Sequence, residues 1–239
     1  MSEPNAPATG GIPWRKLALA AVLASVVIAF FALGGPRHLS LDTVKANRDA
    51  LVEFTNRHYV AALAIAFAVY ASAVAFSLPA GLVLSLTMGF LFGRWVGTAL
   101  VVIAATIGAT FVFIAARYLF ADAARQRMGK LGAKIITGFA ENALNYLLFL
   151  RLVPLFPFFL VNLAPAFTSI SVRTFALGTL IGIIPGTFVI VNLGQALGRI
   201  DSLSGLLSTE TLGAFVLLGV LALVPVLVRK FRSSPVEKA

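Results

Sequence analysis

Cysteine is absent from the 239 residues, which removes disulfides, thiolate chemistry and cysteine-based zinc sites together. Charge is scarce as well: Asp, Glu, Lys and Arg make up 12% of the chain, where a soluble globular domain carries roughly 25%. With 59% hydrophobic residues, so few charges cannot cover a water-facing surface, and the bilayer has to be the solvent. Acidic residues are missing from every long apolar stretch. Asp42, Asp49, Glu53, Asp122, Glu141, Asp201, Glu210 and the two histidines, His38 and His58, fall in connections, while Glu3 and Glu237 sit in the tails. A buried proton relay, a catalytic carboxylate pair or a nucleophile triad therefore has no members in the membrane. The histidines share one polar segment without metal-ligand spacing. These absences predict a protein that is not an enzyme and that holds no metal or other cofactor.

Positive charge and apolar length are what the chain does have. The net charge of +10 comes without a basic patch interleaved with aromatics, so nucleic acid is not an expected partner, and basic residues flanking apolar runs read as orientation signals. Residues 1–16 read as a disordered cytoplasmic tail ending in Arg15-Lys16, and residues 17–35 follow as a first transmembrane helix. This run is longer than the apolar core of about 7 to 15 residues in a cleavable signal peptide, so an uncleaved anchor is expected. Between 40 and 58, Leu41, Val44, Leu51 and Phe54 recur at helical spacing among charged residues, a pattern for a helix lying on the membrane surface.

Residues 59–76 are apolar, Ser77-Leu78-Pro79-Ala80-Gly81 interrupts them, and 82–93 continue. The second arm reaches about 18 Å at ~1.5 Å per residue, short of a hydrocarbon core near 30 Å. A re-entrant hairpin broken at Pro79 and Gly81 is expected, then a full span over 97–116. A second broken element repeats the pattern: 144–150 are apolar, Arg151-Leu152-Val153-Pro154-Leu155-Phe156-Pro157 interrupts, and 158–167 run on. A span over 174–197 contains Pro185, and a last one over 212–228 ends in a basic tail to 239. The sequence thus predicts an all-α integral membrane protein with about four transmembrane helices plus two re-entrant helical hairpins, the membrane domain covering 40–200. Pro79, Gly81, Pro154, Pro157 and Pro185 are its expected breaking points.

Positive charge supports this layout. With the N-terminus inside, one side collects Arg15, Lys16, Arg117, Arg125, Arg127, Lys130, Lys134, Arg173, Arg229, Lys230, Arg232 and Lys238. The other collects Arg37, Lys45, Arg48, Arg57, Arg94 and Arg199, and Arg151 stays within the membrane. The richer side is the cytoplasmic one, which predicts cytoplasmic location for both termini. Ile107, Thr110, Phe111 and Val112 recur 77 positions later as Ile184, Thr187, Phe188 and Val189, and Ala99-Leu100 as Ala176-Leu177. Each copy is a hairpin followed by a span, and the two enter from opposite sides. That is an inverted repeat, which in transporters places a site between the halves near the middle of the membrane.

Leu78-Pro79-Ala80-Gly81, Met88-Gly89-Phe90-Leu91-Phe92-Gly93, Gly97, Gly108 and Arg117-Tyr118 resemble the first half of the DedA superfamily. Arg151-Leu152-Val153-Pro154-Leu155-Phe156-Pro157, Asn162 and Gly182-Ile183-Ile184-Pro185 resemble the second half of its branch named after SNARE-associated Golgi proteins, the VTT-domain branch. The resemblance covers about residues 40 to 200. It implies a multi-pass protein with facing re-entrant hairpins, active in lipid translocation, envelope maintenance or membrane trafficking. The better-known DedA transporters carry an acidic residue where this chain has Ala71, Ser72 and Ala73, and a second arginine where it has Pro157.

Arg151 carries the functional expectation. A central arginine costs about 2.5 to 17 kcal/mol in a bilayer, so a partner, water or a snorkelling route has to offset it. The substrate can bring the missing anion: a lipid phosphate held by Arg151, Asn162 and the Ser77 hydroxyl, with Arg117 as a further contact. Alternatively, Arg151 snorkels or caps carbonyls of the opposing hairpin. Arg94, Arg117 and Arg173, at element ends, have interfacial anchoring as their default role. The leading expectation is a lipid transporter or scramblase-like protein of the plasma (inner) membrane, handling phospholipid or polyprenyl phosphate. The alternatives are a small-anion or solute transporter and a non-catalytic membrane scaffold. Glycine-rich faces permit a homodimer.

Overall fold

A computed structural model describes residues 14–127, 143–152 and 158–198, which are helical and free of strands. Helix α1, Trp14–Ala32, buries none of its residues. It is apolar all round, so hydrocarbon rather than a protein core satisfies it. Gly34 then takes a left-handed φ of 72° and ends the run. The short α2, Gly35–His38, starts with a proline in its first turn, where the missing amide costs nothing.

The expected surface helix is divided at Asn47 into α3, Leu41–Ala46, and α4, Arg48–Arg57. The Ser40 hydroxyl caps α3 by accepting from the Thr43 amide at 3.2 Å. Leu41 and Phe54 are left exposed, as the amphipathic pattern requires of a face turned to lipid.

Helix α5, Tyr59–Ala75, and α6, Gly81–Arg127, carry the first half of the bundle. The turn joining them is built by Ser77 rather than Gly81. The Ser77 amide donates to the Val74 carbonyl and the Leu78 amide to that of Ala73, at 2.9 and 2.8 Å. This is a Schellman ending, with Ser77 at φ 54° in the left-handed position usually held by glycine. Gly81 simply opens α6, which corrects its expected role as a breaker.

α6 is interrupted at Gly93, φ 73° and ψ 177°. Its first arm, 81–92, runs back along α5: the Tyr70 hydroxyl meets that of Ser85 at 3.0 Å, and the Tyr59 and Phe92 rings touch edge to face. The second arm, 94–127, turns back again, so that a side chain at Gly97 would come within 2.8 Å of the Met88 carbonyl and one at Gly108 within 2.6 Å of that of Ala71. α5 and the first arm of α6 thus form an antiparallel pair of helices. Past residue 116, α6 continues to Arg127, because charged residues with good helix propensity prolong a helix beyond its apolar part.

The second half comprises α7, Ala143–Leu152, α8, Phe158–Leu163, a 3-10 turn over Ala164–Phe167, and α9, Val172–Gly198. Pro154 and Pro157 lie outside the described residues. The expected second arm over 158–167 is shorter as an α-helix, because Pro165 tightens its end into the 3-10 turn. Pro185 does not break α9, which passes through it without interruption. A proline inside a membrane helix is tolerated where neighbouring groups satisfy the freed carbonyl.

α9 packs antiparallel to the second arm of α6: Phe113 stacks on Phe175 at one end, and the Arg94 amide donates to Gln195 Oε1 at 2.8 Å at the other. The two repeat copies are thus opposed in direction. Small residues at the interface let these backbones approach, and Ala104, Ala105, Ala109, Phe113, Phe175, Val189 and Val191 of the two helices are buried. Among the described residues, three helices are long and apolar enough to cross a membrane: Trp14–Ala32, Gly81–Leu119 and Val172–Ala196. The expected span over 212–228 lies outside the described residues.

Candidate functional site

Arg151 stands in the last turn of α7, where that helix meets α9. A Cβ on Gly182 would lie 2.8 Å from the Arg151 Cβ, so the glycine is what admits the arginine stem between the two helices. Arg151 Nη2 donates to Asn162 Oδ1 at 2.7 Å and to Thr179 Oγ1 at 2.9 Å. Asn162 comes from α8 and Thr179 from α9, and both have no solvent exposure. One nitrogen therefore ties three elements together through neutral acceptors. The amide of Asn162 is spent unevenly: Oδ1 accepts from the guanidinium, while Nδ2 is buried and finds no acceptor among the described residues. A buried amide donor left unmade costs about 1–3 kcal/mol, so this arrangement suits an acceptor brought from elsewhere.

Two stacked rings connect Arg151 to a second arginine. Its guanidinium carbon lies 5.5 Å from the centre of the Phe175 ring. Phe175 stacks on Phe113 with centroids 4.3 Å apart and an interplanar angle of 14°. Arg117 sits 4.3 Å from the Phe113 centroid, on the face that Phe175 leaves open. Arg117 also donates to three backbone carbonyls of the connector before α9: Ala166 at 3.3 Å, Thr168 at 2.9 Å and Ile170 at 2.7 Å. A 3-10 turn and an irregular link leave carbonyls unpaired, and the five-donor fork of an arginine is suited to collecting them.

The sequence-derived set is thus partly assembled. Arg151 and Asn162 are in direct contact, and Arg117 belongs to the same column through Phe113 and Phe175. Arg117 caps the carbonyls of the connector before α9. Ser77 is exposed in the α5–α6 turn. Sequence reading missed Thr179, Phe113, Phe175 and the space left by Gly182. The described carboxylates Asp42, Asp49 and Glu53 belong to α3 and α4, and among the described residues no three acidic or histidine side chains cluster as metal ligands would.

Comparison with known proteins agrees with the motif reading. Residues 78–196 match the VTT domain, a range holding both halves of the column. The transmembrane protein 41 homolog of Dictyostelium discoideum is 33% identical over 190 residues, 78% of this chain and 57% of that protein. Transmembrane protein 41B of Gallus gallus is 25% identical over 80% of this chain and 72% of its own length, and the Homo sapiens protein of that name 24% over 80% and 66%. No solved structure matches. On this match, and on the broken helices and arginine motif within it, the chain belongs to the VTT-domain, SNARE-associated branch of the DedA superfamily.

Proposed function

We propose that this membrane protein moves anionic lipid headgroups across the bilayer, as a transporter or scramblase-like protein without enzymatic activity. The observation carrying the reading is the pairing of Arg151 and Asn162 between α7 and α8: a guanidinium held by Asn162 Oδ1 and Thr179 Oγ1, beside the buried Asn162 Nδ2 donor. A phosphate diester is the ligand chemistry that suits this site, because its oxygens accept from a buried amide donor such as Asn162 Nδ2 and from a guanidinium fork. The substrate class is a phospholipid or polyprenyl phosphate. Irregular backbone at this depth requires surrounding protein or water, and a headgroup in transit needs the same shelter. The re-entrant placement of both hairpins, a plasma (inner) membrane location and cytoplasmic termini are parts of this reading.

Reconstituted vesicles with labelled phospholipid test it. A charge-assisted hydrogen bond in a desolvated site is worth about 1.5–3 kcal/mol, so Arg151→Ala should slow lipid movement about tenfold or more relative to the native protein. Arg151→Gln keeps a donor for Asn162 while removing the charge, and is expected to be equally slow with the fold retained. Equal movement by the native protein, both variants and empty vesicles would defeat the proposal. Flux of a soluble anion with unchanged lipid asymmetry would transfer the site to small-anion transport. Normal cellular function of a folded, correctly localised Arg151→Ala protein would favour a scaffold.

A further inference from the structure

An apolar cleft of about 400 Å³ separates α1 from the bundle. Leu23 and Ile28 of α1 line it from one side, Val112 and Leu119 of α6 from the other, and Ser77 and Leu163 complete the lining. Since α1 buries no residue, this gap lies between a lipid-facing helix and the core. Water gains little in a site with so few polar partners, and an empty void forfeits dispersion contacts along its lining. The occupant has to be hydrocarbon.

Size decides which hydrocarbon. A helix about 10 Å across fills roughly 800 Å³ over 10 Å of its length, estimated as a cylinder, twice the volume of the cleft, whereas a single extended chain of methylenes is slender enough to enter. Charge sets the register. Lys16 lies over the Tyr118 ring at 5.6 Å, one residue before Leu119 of the cleft wall. From Lys16 to Leu23 and to Ile28 is about 10 and 18 Å along the helix at ~1.5 Å per residue. A phosphate at the basic end of α1 would therefore direct its tail into the cleft.

We infer that this cleft is a docking site for one acyl chain of a membrane phospholipid, with the headgroup at the Arg15–Lys16 end of α1. Leu163, which lines the site, is the chain neighbour of Asn162, so a docked lipid lies close to the partner of Arg151. The inference requires membrane insertion but not transport.

The test uses the full chain in lipid nanodiscs containing a phospholipid with a photoreactive group on its acyl chain. After illumination, label should concentrate in peptides holding Leu23 to Ile28 and Val112 to Leu119. Ala24→Trp, which fills the cleft from the exposed helix, should abolish most of that label, whereas Val22→Trp on the same helix but outside the cleft should leave it. Label spread evenly along α1 and insensitive to Ala24→Trp would overturn the site. So would cross-linking of position 24 to residues 212–228 or to a second copy. Labelling is read without any flux measurement, so failure of the transport proposal and failure of this one are separate results.

Discussion

Ser77 illustrates how a single residue can be conspicuous in sequence for one reason and used in structure for another. As the hydroxyl nearest the first break it invited a role in headgroup binding, yet its backbone closes α5 in the left-handed region, where a non-glycine residue costs about 1–2 kcal/mol. Ser77→Gly should therefore keep the Schellman hydrogen bonds and raise stability by up to about 1 kcal/mol, measured by unfolding in detergent. If the hydroxyl also binds lipid, transport will fall despite the gain; unchanged transport would remove Ser77 from the site. Arg151 and Asn162 were legible because a cation and an amide stand out in apolar surroundings. Thr179 was not: Thr87, Thr98, Thr106 and Thr110 each return their hydroxyl to a carbonyl four residues back, the ordinary use of threonine in a helix. Nothing in the sequence distinguishes the one that faces an arginine. The partners of Arg117 were equally hidden, because they are backbone carbonyls exposed by the 3-10 turn.

At the scale of elements, glycines set which helices can meet. A Cβ on Gly89 would collide with the Val191 carbonyl, and one on Gly194 with that of Leu86, so the first arm of α6 and α9 cross backbone against backbone. At Gly81 the nearest atom to such a Cβ is the Tyr70 hydroxyl at 4.0 Å, an ordinary contact. Gly89→Ala should therefore destabilise the protein by about 1–3 kcal/mol through overpacking, while Gly81→Ala should be neutral or gain up to about 1 kcal/mol from helix propensity. Detergent unfolding of the two variants checks the contrast, and similar losses at both would show that the crossing is looser than described. The sequence disclosed that these glycines cluster around the break, but not which carbonyl each faces, since that depends on contacts about a hundred residues away. That the chain is built from apolar helices, some long enough to cross a membrane, was readable from length and hydropathy. The passage of α9 through Pro185 was not, because continuity there depends on neighbours rather than on the proline itself.

At the scale of the whole molecule, four of the described cations mark the two ends of the α6–α9 pair. Lys16 against Tyr118, and Arg117 against the connector to α9, mark one end; Arg48 over Phe90, and Arg94, whose backbone amide donates to Gln195, mark the other. The antiparallel pairing of α6 and α9 makes this separation unavoidable: whichever face of the membrane holds Arg117 also holds the start of α9, and Gln195 must emerge beside Arg94. The absence of cysteine turns that geometry into a clean experiment, since any introduced thiol is unique. Asn56→Cys in α4 and Val172→Cys at the start of α9 are both on exposed positions at opposite ends. In intact cells a membrane-impermeant maleimide should label position 56 and spare position 172 until the membrane is opened, because the more basic end faces the cytoplasm. Labelling of 172 alone would invert the molecule without disturbing its fold. Labelling of both from outside would mean that the two ends share one side, and would overturn the opposed entry of the two halves on which a central lipid pathway depends.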